Sequence, residues 1–325
     1  LAELLAIPVV ENSNQRFANF PKSHELHQGF NVPAQMEGVD FVLLVRAYAP
    51  WYPPSKGPRN AKIVAIDECP VDEKRVYQNL QANFYLEGDV PSSLKLLAAA
   101  VEEIGLDSAA IEKRLTRLRE AHEALQEGYR VDEERARKST PIDPVYLSAR
   151  MSAVLPDNTV YVDETTTHRL AIQRHLQWNA PHSFIKAPTG LGQGLGAALG
   201  VKLACPDRPV VSIIGDGGFQ YNPVTQCLSL SMDAGLPILI VVFNNQGYLA
   251  MKNNHHSYYP DATSAQHDIY PGHQIDDFDY AELMKPFGGV GLRVDDPADL
   301  DGVLRDGLAA VESGKTTIIN AVLCR

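Results

Sequence analysis

"VVSIIGDGGFQYNPVTQCLSLSMDAGLPILIVVFNNQGY", residues 210–248, is the stretch that decides the fold. The apolar run at 210–215 is too short for a helix and ends in Gly215-Asp216-Gly217-Gly218. A helical pattern follows until Gly235 and Pro237 stop it, and 237–245 is a second apolar run ending in Asn244-Asn245. This reads as strand, crossover helix, strand, and a right-handed crossover makes the two strands parallel. Their carboxyl ends then share one sheet edge, the edge where ligands of open α/β folds bind. Asp216 and Asn245, twenty-nine positions apart in the chain, become neighbours there.

Two polar groups at buried strand tips need a reason. One carboxylate and one amide oxygen carry too little charge to hold a divalent cation alone. They suit a cation that also takes oxygens from a diphosphate, because Mg²⁺ is typically bound by one or two carboxylates plus substrate phosphates. Gly217 and Gly218 strip side chains from the turn after Gly215, so backbone N–H groups can approach an anion. Either motif alone reads as an ordinary turn. Their placement at consecutive parallel strand ends predicts a metal–diphosphate clasp.

The remaining composition is consistent with that. The chain has 325 residues, enough for two domains, and a net charge of −11 with no Lys/Arg cluster. A nucleic-acid or anionic-membrane partner is therefore not expected. Four cysteines, Cys69, Cys205, Cys227 and Cys324, lie far apart and form neither a zinc pattern nor a disulfide frame. The apolar run "ILIVVF" is far short of a bilayer span, and no leader pattern is visible. The expected location is cytoplasmic.

Strand-like runs alternate with helical patterns throughout: "IPVV", "DFVLLVRAY", "AKIVAID" and "FYLEGDV", then the helix "PSSLKLLAAAVEEIG". A charged helical stretch covers 109–137, and "STPIDP" marks a boundary. Beyond it come "TVYVDE", "HSFIKA", the quoted unit, "GGVGLRVD" and "KTTIINAVLC", with helices between them. The expected fold is α/β: two doubly wound, mostly parallel-sheet domains at 1–106 and 141–325, joined by a charged helical linker at 107–140. The chain opens without Met on a helix feeding a strand, an unusual place for a domain to start, so a processed or split product is expected.

Gly-Asp-Gly, twenty-six residues, then Asn-Asn resembles the cofactor motif of thiamine diphosphate (ThDP) enzymes. The surrounding chain resembles the acetolactate synthase and benzoylformate decarboxylase group. "FPKSHELHQGF" and "AKIVAIDECP" are similar to that family's central domain, and residues 141–325 to its diphosphate-binding domain. The resemblance implies Asp216, Asn245 and the Gly247 carbonyl as Mg²⁺ ligands, with Gly215, Gly217 and Gly218 along the diphosphate. It implies that "VDETTTH" wraps the phosphates from the other side through Glu164, Thr165 and Thr166, although a Thr-capped turn reads equally well. In "PTGLGQGLG" it implies Gly190 as acceptor from the aminopyrimidine and Leu191 as the wedge that bends the cofactor. These two are the catalytic candidates. No G-x-G-x-x-G dinucleotide pattern occurs in that stretch.

The implied chemistry is cleavage of a bond next to a carbonyl, most often decarboxylation of a 2-oxo acid, with acetolactate synthase-type carboligation as the alternative. A non-catalytic ThDP-binding regulatory subunit is the alternative of another class. The family's pyrimidine-side Glu sits on an amino-terminal domain that nothing here resembles. A pyrimidine-domain chain is therefore the expected partner, in a dimer of dimers or hetero-oligomer. Where some decarboxylases place an active-site His, this sequence has Trp51 and Tyr52. Tyr248, Ala250 and Met251 are candidate pocket walls, with Tyr248 counted among the cofactor contacts. His168, His255 and His256 stay without an assigned role.

Overall fold

The computed structural model describes every residue except 13, 14, 48, 52, 53, 72–81, 188, 189 and 325. It forms two compact units: Leu1–Gln15 with Lys22–Glu127, and Arg16–Pro21 with Gly128–Arg325. The division falls inside the 29-residue helix Ser108–Ala136.

The first unit holds a parallel sheet of β1 (Phe41–Val45), β2 (Lys62–Asp67) and β3 (Phe84–Glu87) in that spatial order. Val32, Leu44, Trp51 and Ile63 form its small core. Trp51 is thus a packing residue, and Tyr52 lies outside the described residues. The strand expected from "IPVV" does not form. Pro8 has no N–H to donate to a ladder, and Val9 makes only an isolated bridge to His27. Asp89 caps the helix Val90–Ile104 by accepting from the Ser92 N–H.

The second unit is built on six parallel strands: β4 (Val160–Glu164), β5 (Phe184–Lys186), β6 (Val210–Gly215), β7 (Leu239–Asn244), β8 (Val290–Val294) and β9 (Thr317–Val322). Their spatial order is β5-β4-β6-β7-β9-β8. Helices cover both faces, which is why β6 and β7 read as nearly continuous apolar runs rather than alternating ones. On one face Val160, Val162, Ile214, Ile240 and Val242 pack against Leu195, Leu199, Leu228 and Met284. On the other, the helix Leu300–Glu312 lies against β9, β8 and the helix Pro144–Val154.

Two features of this unit position the site. From β4 the chain steps outward to β5, returns past β4 to β6, and then progresses in the opposite direction. The crevice at the carboxyl ends of β4 and β6 is therefore a topological switch point. The crossover after β6 is also two helices rather than one, Asp216–Tyr221 and Val224–Asp233. Pro223 lacks an N–H and pushes the preceding residue out of helical geometry; Asn222 accordingly sits at ψ 149°.

Candidate functional site

The register pairs Gly215 with Phe243, so Asp216 and Asn244-Asn245 leave the sheet side by side. The two asparagines do different work. Asn244 donates through Nδ2 to Asn320 Oδ1 (3.1 Å) and accepts the Gln246 N–H at Oδ1 (3.2 Å), tying β7 to β9. Gln246 then turns the chain in the left-handed region, at φ 57°. Asn245 is buried, its Nδ2 lies 2.7 Å from His168 Nε2, and its Oδ1 has no hydrogen-bond partner. An unpaired buried carbonyl oxygen costs about 1–3 kcal/mol.

Asp216 is 2% exposed. Its Oδ1 accepts the Gly217 N–H (2.8 Å) and its Oδ2 the Gly247 N–H (3.0 Å), which links the two strand tips directly. Burial raises its carboxyl pKa, and those N–H groups pull against the rise. Asp216, Asn245 and Gly247 are thus brought together. Among the described residues no group of three His, Cys, Asp or Glu side chains could hold a metal. A cation here would need oxygens from a ligand, and the orphaned Asn245 Oδ1 fits such a donor set.

Gly217 and Gly218 are buried at the start of the helix after β6. A Cβ on Gly217 would lie 2.5 Å from the Tyr248 ring, so only glycine lets Tyr248 pack there. Burial raises the Tyr248 hydroxyl pKa. Gly218 lies beside the Glu164 carbonyl and Leu191 Cδ2. Leu191 is 42% exposed, an apolar side chain projecting next to Gly218. Gly190 begins that loop at φ +129°.

The β4 end differs from the sequence expectation. Thr165 is buried, and both its N–H and its hydroxyl donate to Asp163 Oδ1 (2.8 and 2.7 Å). Its hydroxyl proton is therefore committed inside the protein, while Thr166 is exposed at the same turn. Lys186 Nζ clamps the turn by donating to Asp163 Oδ2 (2.6 Å) and the Thr165 carbonyl (3.1 Å). The Glu164 carboxylate faces the glycine-rich loop: Oε1 accepts from Gly192 and Gln193, and Oε2 from Gly194 and Asn222 Nδ2. With four donors on it, this carboxylate is engaged within the protein.

His168 is buried, which depresses its pKa to about 4, so a neutral ring accepts from Asn245. His255 is bonded to Ser264 Oγ at 2.7 Å, and His256 and Met251 are exposed. Asn222 and Lys186 escaped the sequence reading because their bonds to Glu164 and Asp163 span 58 and 23 positions and leave no local pattern.

Comparison with known proteins follows the same line. Residues 164–321 match the family model described as thiamine pyrophosphate enzyme, C-terminal TPP binding domain. The chain is 27% identical to benzoylformate decarboxylase of Pseudomonas aeruginosa, over 95% of this chain and 55% of that protein. It is also 27% identical to the acetolactate synthase isozyme 3 large subunit of Escherichia coli, over 74% of this chain and 43% of that protein. The chain spans about half the length of the curated relatives it matches. In fold it is similar to a 4-hydroxybenzoylformate decarboxylase of Rhodococcus jostii RHA1, with TM-score 0.72 and 23% identity, over 99% of this chain and 58% of that one.

Proposed function

From the premise that this chain is a relative of the thiamine diphosphate-dependent enzymes, with their TPP-binding domain at residues 164–321, we propose that it binds ThDP with Mg²⁺ and forms the diphosphate side of a C–C-cleaving active site. The observation that carries this is the pair of strand tips: buried Asp216 beside Asn245, whose Oδ1 is buried and unpaired. Asp216 and Asn245 would supply side-chain oxygens to the metal, with Gly247 alongside. Gly215, where a Cβ would meet nothing within 4 Å, would leave room for the diphosphate. The backbone of Gly217 and Gly218 would border it, and Thr166 is the exposed hydroxyl at the opposing turn. Gly190, Leu191 and Tyr248 would border the rings.

Bound ThDP would supply the electron sink for cleavage next to a carbonyl. The residues of this chain bind and orient the cofactor and exclude water from its diphosphate. The proposed reaction is decarboxylation of a 2-oxo acid, and likeness to acetolactate synthases favours carboligation as the second reading. The pyrimidine-side carboxylate would come from a pyrimidine-domain chain, in a dimer of dimers or a hetero-oligomer. No described helix is long and apolar enough to cross a membrane, and a cytoplasmic location goes with this reading.

Calorimetric titration of ThDP with and without Mg²⁺, on the wild type and Asp216→Ala, tests the binding. Metal-dependent binding lost in the variant is expected; unchanged metal dependence removes the ligand assignment. CO₂ release from a panel of 2-oxo acids, with a pyrimidine-domain chain added, then tests the chemistry. Binding without turnover on any of them would point instead to a regulatory subunit.

A further inference from the structure

The glycine-rich loop after β5 has an unusual attachment. Glu164 is 6% exposed and Asn222 is 7% exposed, and they meet with Asn222 Nδ2 donating to Glu164 Oε2 at 2.7 Å. Glu164 also receives three successive backbone N–H groups, from Gly192 (2.6 Å), Gln193 (2.9 Å) and Gly194 (2.9 Å). These are N–H groups at the start of the helix Gly194–Ala204, which Gln193 precedes without a side-chain cap of its own. Asn222 completes the set. Its Oδ1 accepts the Leu195 N–H (3.1 Å), and its Nδ2 also donates to the Gly218 carbonyl (2.8 Å). One carboxylate and one amide therefore bind three segments: the end of β4, the loop 192–195 and the glycine turn after β6.

The glycines of the loop serve this arrangement. A Cβ on Gly194 would fall 2.6 Å from Glu164 Oε2, and one on Gly192 would fall 2.7 Å from the Tyr221 carbonyl oxygen. Both sites hold backbone against backbone or against the carboxylate, with no space for a methyl group.

We infer that the buried Glu164–Asn222 pair is a positioning anchor, which sets the Gly190–Leu191 segment against the ring portion of bound ThDP and leaves the diphosphate end to Asp216 and Asn245. This rests on the ThDP reading above and assigns Glu164 a different task from phosphate contact. The Glu164 carboxylate and the strand tips then serve different ends of the cofactor, with Asn222 touching both through its bonds to Glu164 and the Gly218 carbonyl. The two ends can be separated by ligand. Inorganic pyrophosphate with Mg²⁺ needs only the strand tips. ThDP with Mg²⁺ needs the tips and the anchored loop.

The test titrates both ligands into the full chain in the wild type, Glu164→Gln and Asn222→Ala. In Glu164→Gln the new amide N–H₂ would face the Gly194 N–H and the Asn222 amide, donor against donor, and the loop would lose part of its hold. Expected in Glu164→Gln are a pyrophosphate affinity within about twofold of wild type and a ThDP affinity weakened about tenfold or more, the size of a lost hydrogen bond to a charged group. Asn222→Ala, which also releases the Gly218 carbonyl, should weaken both ligands, ThDP the more. Hydrogen exchange without ligand gives a second readout: the amides of 192–194 should exchange faster in Glu164→Gln while those of β6 and β7 stay protected. Unchanged ThDP affinity, or equal weakening of both ligands with a falling Tm, overturns the inference. A wild type that binds pyrophosphate but gains nothing from the thiamine moiety removes the ThDP reading and this inference together.

Discussion

Asn245→Leu separates a ligand-binding amide from a structural one. In the free protein Asn245 Oδ1 is buried without a partner, while Nδ2 bonds His168 Nε2 at 2.7 Å. Leucine has the same branching and the same number of heavy atoms, with two somewhat bulkier methyl groups in place of the amide oxygen and nitrogen. Removing the orphaned oxygen recovers about 1–3 kcal/mol, and leaving His168 Nε2 without its donor costs about 1–3 kcal/mol. The two offset to within about 2 kcal/mol. At about 2–4 °C per kcal/mol for a domain of this size, the Tm of the unliganded protein should move by no more than about 8 °C. The stabilisation by Mg²⁺ and ThDP should disappear. At a hundred times Kd that stabilisation amounts to about 2.7 kcal/mol in the wild type. Thermal unfolding followed by circular dichroism, with and without both ligands, reads both quantities. A variant that loses about 3 kcal/mol when unliganded yet keeps the ligand shift would show that Asn245 is a structural amide and refute the reasoning.

Three further outcomes follow from other parts of the second unit. Gly194→Ala puts a methyl group on the Glu164 carboxylate and should cost about 1–3 kcal/mol, read by urea unfolding; a neutral result would mean that the loop is not held against Glu164. Arg150 grips Asp301 with two bonds (2.7 and 2.6 Å) and holds its carboxyl below the usual range. A depressed folded pKa stabilises above the unfolded value of about 3.9 and loses that contribution as pH falls through the folded value. Asp301→Asn should therefore be about 1 kcal/mol less stable than wild type at pH 7, with the gap closing below about pH 4; a gap independent of pH would contradict this. Chelation of divalent ions should release ThDP without unfolding the chain, checked by rapid desalting and circular dichroism; retained cofactor would contradict the clasp.

The core of the second unit was legible because burial on both faces writes itself into the sequence. Val210–Gly215 and Leu239–Asn244 are apolar at every position except Ser212 and the terminal residues Gly215 and Asn244, and the sheet buries them accordingly. Gly235 and Pro237 marked the second strand's start, and parallel pairing followed from the crossover. "IPVV" carried the same local signal as a strand, but what makes a strand is a partner, and Val9 found only one bridge. The break at Asn222-Pro223 was readable from Pro223, but not that Asn222 would become a hub; that depends on Glu164, 58 positions away. Likewise the family resemblance implied that Glu164, Thr165 and Thr166 wrap the phosphates, whereas folding aims the Glu164 carboxylate at three backbone N–H groups. Contacts that depend on where distant backbone lies, such as those of Asn222 and Glu164, leave no pattern in the sequence.

The most direct measurement is a crystal structure of the chain soaked with Mn²⁺ and ThDP, with anomalous data to locate the metal. The account predicts one anomalous peak between the tips of β6 and β7, about 2.1 Å from an Asp216 carboxylate oxygen and from Asn245 Oδ1, next to the diphosphate. A peak elsewhere, or a diphosphate bound with no metal between those two side chains, would contradict it.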